Sequence, residues 1–115
     1  MATAKIKIPP QDIEAEVSVL GALMLDRNAV IKVADMLQAN DFYQPAHQKI
    51  YEVIVELFEK GEPIDLLTVS NRLKDKQWLK DVGGTDYLTE LVGSVPTSAH
   101  ANHYATIVRE KKVRR

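Results

Sequence analysis

The chain has 115 residues, 45% of them apolar, and a formal net charge of −1, which fits one globular domain and excludes a chain that is disordered throughout. It contains no cysteine, which excludes a disulfide scaffold, thiolate chemistry and a cysteine-ligated zinc site. Its most apolar stretch covers only the nine residues 17–25, whereas a membrane-spanning helix needs about 20, so no membrane segment is expected.

The N-terminal quarter predicts a flexible arm over residues 1–8, followed by a first helix that Pro9 and Pro10 open, because proline is favoured in the first helical turn. The apolar face of this helix repeats at helical spacing through Ile13, Val17, Leu20 and Met24. Gly21 lies in its middle, where glycine costs about 1 kcal/mol relative to alanine. This position therefore indicates the close approach of a neighbouring helix.

Two helices are predicted in the middle of the chain. Asn28 is the expected N-cap of a short second helix, whose apolar face consists of Val30, Val33, Ala34 and Leu37. Pro45 is expected to begin a third helix, and Gly61 stands where its C-cap would be. The apolar stripe of this third helix consists of Ile50, Ile54, Leu57 and Phe58.

Three more helices are predicted in the second half. Asp65 caps a fourth helix, Thr85 caps a fifth that Gly93 closes, and Thr97 or Ser98 caps a sixth. The sixth runs to Arg115 without a terminating signal, which suggests that the protein continues beyond this chain. No segment resembles a β-hairpin, so the predicted class is an all-α bundle of about six helices.

Catalytic and ligand-binding motifs are not found. None of the five glycines belongs to a GxxxxGK[ST] or GxGxxG motif. His100 and His103 are spaced to share a helix face, but a metal site needs further ligands and no acidic residue lies within a turn of them. Glu14 and Glu16 point in different directions on a helix, which makes them a poor acid–base pair. The sequence therefore predicts no catalytic residue, no cofactor and no metal in this chain.

Three features remain as candidate binding elements, and each has a structural alternative. Tyr87 either packs inside the fold or anchors a partner. The stripe formed by Tyr104, Ile107 and Val108 either docks on the chain's own core or faces another chain. Five basic residues and one acid occupy residues 109–115, and they either contact nucleic acid or complement the helix dipole. The basic residues are Arg109, Lys111, Lys112, Arg114 and Arg115.

The order and spacing of short segments, from about Pro9 to Arg109, resembles the N-terminal domain of the DnaB-type replicative DNA helicases of bacteria. In chain order the segments are residues 9–10 (PP), 13–16 (IEAE), 19–21 (VLG), 41–43 (DFY), 47–50 (HQKI), 61–65 (GEPID), 82–84 (VGG), 87–88 (YL), 96–97 (PT), 104–105 (YA) and 107–108 (IV). One departure is that His100 and Ala101 stand where the family commonly has an asparagine followed by a β-branched residue. The smaller Ala101 puts the packing of a helical hairpin in doubt.

The resemblance implies a head domain at residues 9–96 and, at residues 97–115, the first arm of a helical hairpin leading to an ATPase domain that this chain lacks. ATP and Mg²⁺ would bind that missing domain, and DNA would be contacted through it. In the family the N-terminal domains pair as dimers and form a collar above a hexameric ring. The self-association surface expected here includes Tyr104, Ile107 and Val108.

The resemblance also implies partners and a location. The collar binds the C-terminal domain of primase and, in some organisms, a loader protein, and the implied primase surface includes Glu14 and Tyr87. The expected location is the bacterial cytoplasm, at replication forks on the nucleoid. The alternative function is a small helical DNA-binding domain that uses Arg109, Lys111, Lys112, Arg114 and Arg115. An isoelectric point near 6.3 and the confinement of these residues to one end disfavour it.

Overall fold

The computed structural model describes residues 9–95 and 97–115, and over this part the chain is all-helical. The α-helices are α1 (Ile13–Leu25), α2 (Arg27–Ala34), α3 (Pro45–Glu59), α4 (Leu66–Asp75), α5 (Gly84–Ser94) and α6 (Ala101–Arg114), with 3-10 turns at Ala39–Asp41 and Ser98–His100. The predicted class and number of helices are confirmed. The predicted arm at residues 1–8, and Pro96 at the predicted domain boundary, lie outside the described residues. No helix in the described part is long and apolar enough to cross a membrane.

Two predicted helix starts are correct, and both follow from strong local signals. α3 begins at Pro45, and Gly61 follows its C-cap in the left-handed conformation, with φ of 69°. α4 begins after Asp65, whose carboxylate accepts the Thr68 backbone N–H at 2.9 Å while its own N–H donates to the Thr68 hydroxyl at 2.9 Å. This reciprocal pair is a capping box, which leaves two fewer backbone N–H groups without a partner.

The predicted starts of α1 and α2 are wrong, because nearby aspartates cap these helices. α1 begins at Ile13 rather than at Pro9 and Pro10, since the Asp12 carboxylate accepts the backbone N–H of Ala15 at 3.0 Å. α2 begins at Arg27 because Asp26 accepts the backbone N–H of Asn28 at 2.9 Å. Asn28, the predicted cap, is therefore the second residue of the helix. α2 also ends at Ala34, and Leu37 of its predicted face follows the helix.

The ends of α5 and the start of α6 also differ from the prediction. α5 begins at Gly84, behind an N-cap Gly83 that has a φ of 105°, so Thr85 is not the cap. The helix continues through Gly93 to Ser94. Thr97 caps the 3-10 turn at Ser98–His100, which leads into α6.

The core is built around α1, which contacts α2, α3, α5 and α6. Val19 and Leu23, which form a second apolar side of this helix, are fully buried. Gly21 is the point of closest approach to α5: a Cβ added there would overlap the carbonyl oxygen of Leu91 and lie 3.4 Å from the Cβ of Val95. The close helix approach predicted from Gly21 is confirmed, and it fixes how α1 and α5 pack.

α6 packs on α1 and α2 and contributes Ala101, Ala105 and Val108 to the core, each at most 1% exposed. The first turns of this helix therefore pack on the same core as α1 and α2. The division expected at residues 96 and 97 stays a prediction. Ala101, which suggested weak hairpin packing, is a close contact of the chain's own core. The role of residues 97–115 as a hairpin arm stays a prediction.

An ion-pair network on Glu56 joins α3 to α4. The Glu56 carboxylate lies 2.6 Å from Arg72, 3.0 Å from Lys76 and 3.3 Å from Lys60. The hydrogen bond from Lys76, and then that from Lys60, lower the pKa of Glu56 against the opposing effect of burial. A carboxyl group whose pKa is lowered in the folded state stabilises the fold above its unfolded-state pKa. That contribution is lost as the pH falls through the folded-state pKa.

We expect Glu56→Gln to lower the free energy of unfolding by about 0.5–1 kcal/mol at pH 7, because a partly exposed network is screened by solvent. The difference from the unsubstituted chain should shrink as the pH falls through the lowered folded-state pKa of Glu56, below which the carboxyl group is protonated in both states. Urea unfolding at pH 7 and at a pH below that pKa measures it. Glu52→Gln, an exposed position on the same helix, is the matched control. An equal effect of the two substitutions would show that the network adds nothing.

Candidate functional site

The side of the molecule where α1 meets α5 carries both residues expected to bind a partner. Glu14 is exposed and, with other residues of α1, lines a shallow groove against Ser94 of α5. Tyr87 lies seven residues before Ser94, which is two helical turns, so both stand on one face of α5. We call this surface the α1/α5 face, and define it by Ile13, Glu14, Val17, Ser18, Tyr87, Glu90 and Ser94.

The α1/α5 face is acidic. Glu14 and Glu90 are both exposed, and none of the seven residues that define the face is basic. Glu90 stands one turn after Tyr87 and is close enough for its charge to raise the pKa of the Tyr87 phenol. The face therefore presents negative charge around a single aromatic hydroxyl.

Tyr87 is half-buried, so it matches neither of the two alternatives fully. Its side chain packs on Gly83, where an added Cβ would lie 2.9 Å from the Tyr87 Cβ. Its ring stacks on the imidazole of His47 with centroids 6.0 Å apart, and its hydroxyl lies 2.6 Å from Nε2 of His47. Burial is the main cause that raises the pKa of the phenol above its usual value, so Tyr87 is a neutral hydroxyl at physiological pH.

Behind Tyr87 lies a buried carboxylate that the sequence did not predict as a site. His47 Nδ1 lies 2.7 Å from Oε1 of Glu16, and both residues are 1% exposed. The Glu16 carboxylate also accepts the backbone N–H groups of Tyr43, at 2.6 Å, and of Gln44, at 3.4 Å. Gln44 gives α3 no side-chain cap. Glu16 accepts the two backbone N–H groups just before this helix, so its carboxylate lies at the positive end of the α3 dipole.

One signal for this site was present in the sequence. Glu16 stands three and four residues before the apolar Val19 and Leu20, which places it beside them on the first helix. An acidic residue on a face that will be buried needs a partner, because isolated buried charges are strongly unfavourable. His47 is 31 positions away, so no local spacing indicates it as that partner.

The residues expected to mediate self-association have different surroundings. Val108 is 1% exposed and belongs to the core, so in this fold its side chain is not available to a second chain. Tyr104 and Ile107 are half-buried and pack against the same core. The rings of His100 and His103 lie 6.5 Å and 6.1 Å from that of Tyr104. Self-association through Tyr104 and Ile107 stays a prediction.

The five basic residues at the end of α6 are not gathered into one surface. Lys112 donates to the backbone carbonyl of Asn40 at 2.9 Å. Arg115 donates to the carbonyls of Pro10, at 3.1 Å, and Asp41, at 2.7 Å, and lies 5.4 Å from the Tyr43 ring centroid. The hydrogen bonds of these two residues hold the end of α6 against the rest of the domain. Arg109 and Arg114 line a separate groove beside Met36 and Val113, and Lys111 is half-buried.

Potential metal ligands do not cluster in the described part of the chain. Within residues 9–95 and 97–115, no three histidine, aspartate or glutamate side chains are grouped as metal ligands. The pair His47 and Glu16 is closed off by Tyr87 and by backbone donors. Its polar atoms are therefore already used in hydrogen bonds within the fold.

Comparisons with known proteins agree with this fold. The profile of the DnaB-like helicase N terminal domain family matches residues 8–110. The chain is 47% identical over 109 residues to the replicative DNA helicase DnaB of Geobacillus stearothermophilus, and 46% identical over 109 residues to the replicative DNA helicase DnaC of Bacillus subtilis. Each match covers 95% of this chain and 24% of the relative, so the chain spans about a quarter of the length of these curated relatives.

A solved structure gives the same result. The structure is similar to the crystal structure of the N-terminal domain of DnaB helicase from Mycobacterium tuberculosis, with a TM-score of 0.91 and 45% sequence identity. That match covers 92% of this chain and 76% of the other. Sequence and fold thus agree over nearly all of the chain, and it belongs to the DnaB-like helicase N terminal domain family.

Proposed function

We propose that this chain is the N-terminal collar domain of a bacterial replicative helicase and that it docks the C-terminal domain of primase on the α1/α5 face. The observation that carries the proposal is the placement of Glu14 and Tyr87 on one acidic face of a domain that is 47% identical to part of a replicative helicase. On this proposal the binding site is a surface for a protein, and no reaction takes place on it.

The proposal assigns the other activities to the rest of the protein. ATP, Mg²⁺ and DNA would be bound by segments outside this chain, since the sequence has no phosphate-binding glycine motif. We further propose that the domain self-associates within a hexamer, that a loader protein also binds the collar in some organisms, and that the protein acts in the bacterial cytoplasm. The half-buried Tyr104 and Ile107 remain the candidates for contacts between copies.

The charge of the α1/α5 face indicates the kind of partner surface that fits it. Exposed carboxylates at Glu14 and Glu90 attract a basic surface and oppose an acidic one. Contacts of this kind at the edge of an interface act mainly on the association rate and on its dependence on salt. A basic patch on the docking domain of primase is therefore the expected counterpart.

We expect Glu14→Lys to weaken binding of the C-terminal domain of primase by about tenfold at low ionic strength, and by less at high salt. Isothermal titration calorimetry at about 50 and 300 mM salt measures both affinities. The matched control is Glu52→Lys, which makes the same change of charge at an exposed position on α3, away from the α1/α5 face. An unchanged affinity for Glu14→Lys, or an equal loss in both variants, would argue against docking on this face.

A further inference from the structure

Glu16, His47 and Tyr87 form a continuous hydrogen-bonded chain that runs from the core to the α1/α5 face. The two links measure 2.7 Å and 2.6 Å. Glu16 and His47 are each 1% exposed, whereas Tyr87 is half-buried, so the Tyr87 hydroxyl is where this chain reaches the surface. Every buried side-chain nitrogen or oxygen in the described part of the structure has a partner. We call these three residues the relay.

The direction of each hydrogen bond in the relay follows from its inner end. The Glu16 carboxylate accepts from the backbone N–H groups of Tyr43 and Gln44, so His47 must donate to it from Nδ1. A neutral imidazole that carries its proton on Nδ1 has a lone pair on Nε2. With His47 in this neutral form, the Tyr87 O–H donates inward to Nε2, and the lone pairs of its oxygen face outward.

We propose that Glu16 and His47 are positioning residues that make Tyr87 a hydrogen-bond acceptor on the α1/α5 face, matched by an N–H donor of the lysine or arginine class on the partner. This inference rests on the proposed docking function and adds to it the chemistry of one contact. The acidic surroundings support a cationic donor, because the charge of the exposed Glu90 acts on Tyr87 and the exposed Glu14 lines the groove at the Ser94 end of the same helix.

The relay also makes the role of the Tyr87 hydroxyl depend on the charge of His47, because that charge decides whether the hydroxyl accepts or donates a hydrogen bond on the α1/α5 face. When Nε2 gains a proton it becomes a donor, so the Tyr87 oxygen must accept and its own proton turns outward. The face then offers a donor where the partner also has a donor. The groups around His47 are Glu16 from α1 and Tyr87 and the nearby Glu90 from α5. The backbone N–H groups of Tyr43 and Gln44, just before α3, complete the set. Acidification is therefore expected to weaken docking through this contact.

The binding test compares the unsubstituted chain with Tyr87→Phe, which keeps the ring and removes only the hydroxyl. The affinity for the C-terminal domain of primase is measured by calorimetry between pH 5.5 and 8. We expect Tyr87→Phe to bind about tenfold more weakly at pH 7.5 and to lose most of the pH dependence. His47→Gln should weaken binding by a similar factor. The amide N–H of the glutamine would donate to the Tyr87 oxygen, and the hydroxyl proton of Tyr87 would then point outward.

A second measurement does not depend on primase. The ¹⁵N chemical shifts of the His47 ring at pH 7.5 should show the proton on Nδ1 and a lone pair on Nε2. The opposite tautomer would overturn the inference, even if His47→Gln fails to fold.

The outcomes separate the two proposals. If Glu14→Lys weakens binding but Tyr87→Phe binds like the unsubstituted chain at every pH, the relay has no positioning role and the docking face stands. If the unsubstituted chain does not bind primase at all, the proposed function fails, and the docking contact inferred at Tyr87 fails with it.

Discussion

Gly21→Ala is expected to lower the free energy of unfolding by about 3 kcal/mol, at the upper end of the usual cost of overpacking a core. The added methyl group would overlap the carbonyl oxygen of Leu91, which belongs to the backbone and cannot rotate away as a side chain can. α1 and α5 would have to move apart in the centre of the core. The higher helix propensity of alanine, about 1 kcal/mol, offsets only part of this cost.

Gly93→Ala is the matched control, because Gly93 lies in α5, is exposed, and would place its Cβ in open space. There alanine should stabilise the chain by about 0.5–1 kcal/mol through helix propensity alone. Thermal and urea unfolding of both variants measure the effects. For a domain of this size, 1 kcal/mol corresponds to roughly 4–8 °C in Tm, so the two substitutions should shift Tm in opposite directions. A Gly21→Ala chain at least as stable as the unsubstituted one would contradict the close packing of α1 against α5 at Gly21.

Helix starts show where sequence signals are sufficient. Pro45 and Asp65 were predicted correctly because each is a strong start signal without a competitor nearby. The start of α2 was not, because Asp26 and Asn28 are both good caps and their positions differ by two residues. Local sequence does not decide between them. The structure has Asp26 as the cap that accepts a backbone N–H.

Tertiary contacts explain most of what the sequence did not predict. The relay joins residues that are 31 and 40 positions apart, and no helical period relates them. The apolar stripe of α6 was ambiguous for a different reason. A stripe that docks on its own domain has the same spacing as one that docks on another chain, and the burial of Val108 decides this only at that position. The roles of Glu14 and Tyr87 came from the family resemblance, since an exposed acid and a half-buried aromatic have no distinctive pattern.

Glu16→Ala is expected to destabilise the domain by about 2–6 kcal/mol, because each buried donor left without its acceptor costs roughly 1–3 kcal/mol and two donors are left here. The loss leaves the buried imidazole of His47 without its acceptor and the backbone N–H of Tyr43 without its partner at 2.6 Å. It also removes the carboxylate that holds the segment just before α3, where Gln44 supplies no side-chain cap. Buried donors without an acceptor carry the full cost of their lost hydration.

The matched control is Glu14→Ala, which removes the same charge from the same helix two residues away. Glu14 is exposed, so its replacement should change the free energy of unfolding by no more than about 0.5 kcal/mol. Urea unfolding compares the two variants, and amide hydrogen exchange at Tyr43 and Gln44 locates the effect. Exchange at these amides should accelerate in Glu16→Ala beyond the global loss of stability, because the carboxylate that protects them is gone. Equal destabilisation by the two substitutions would show that Glu16 contributes only its charge to α1, and that the start of α3 is held by other contacts.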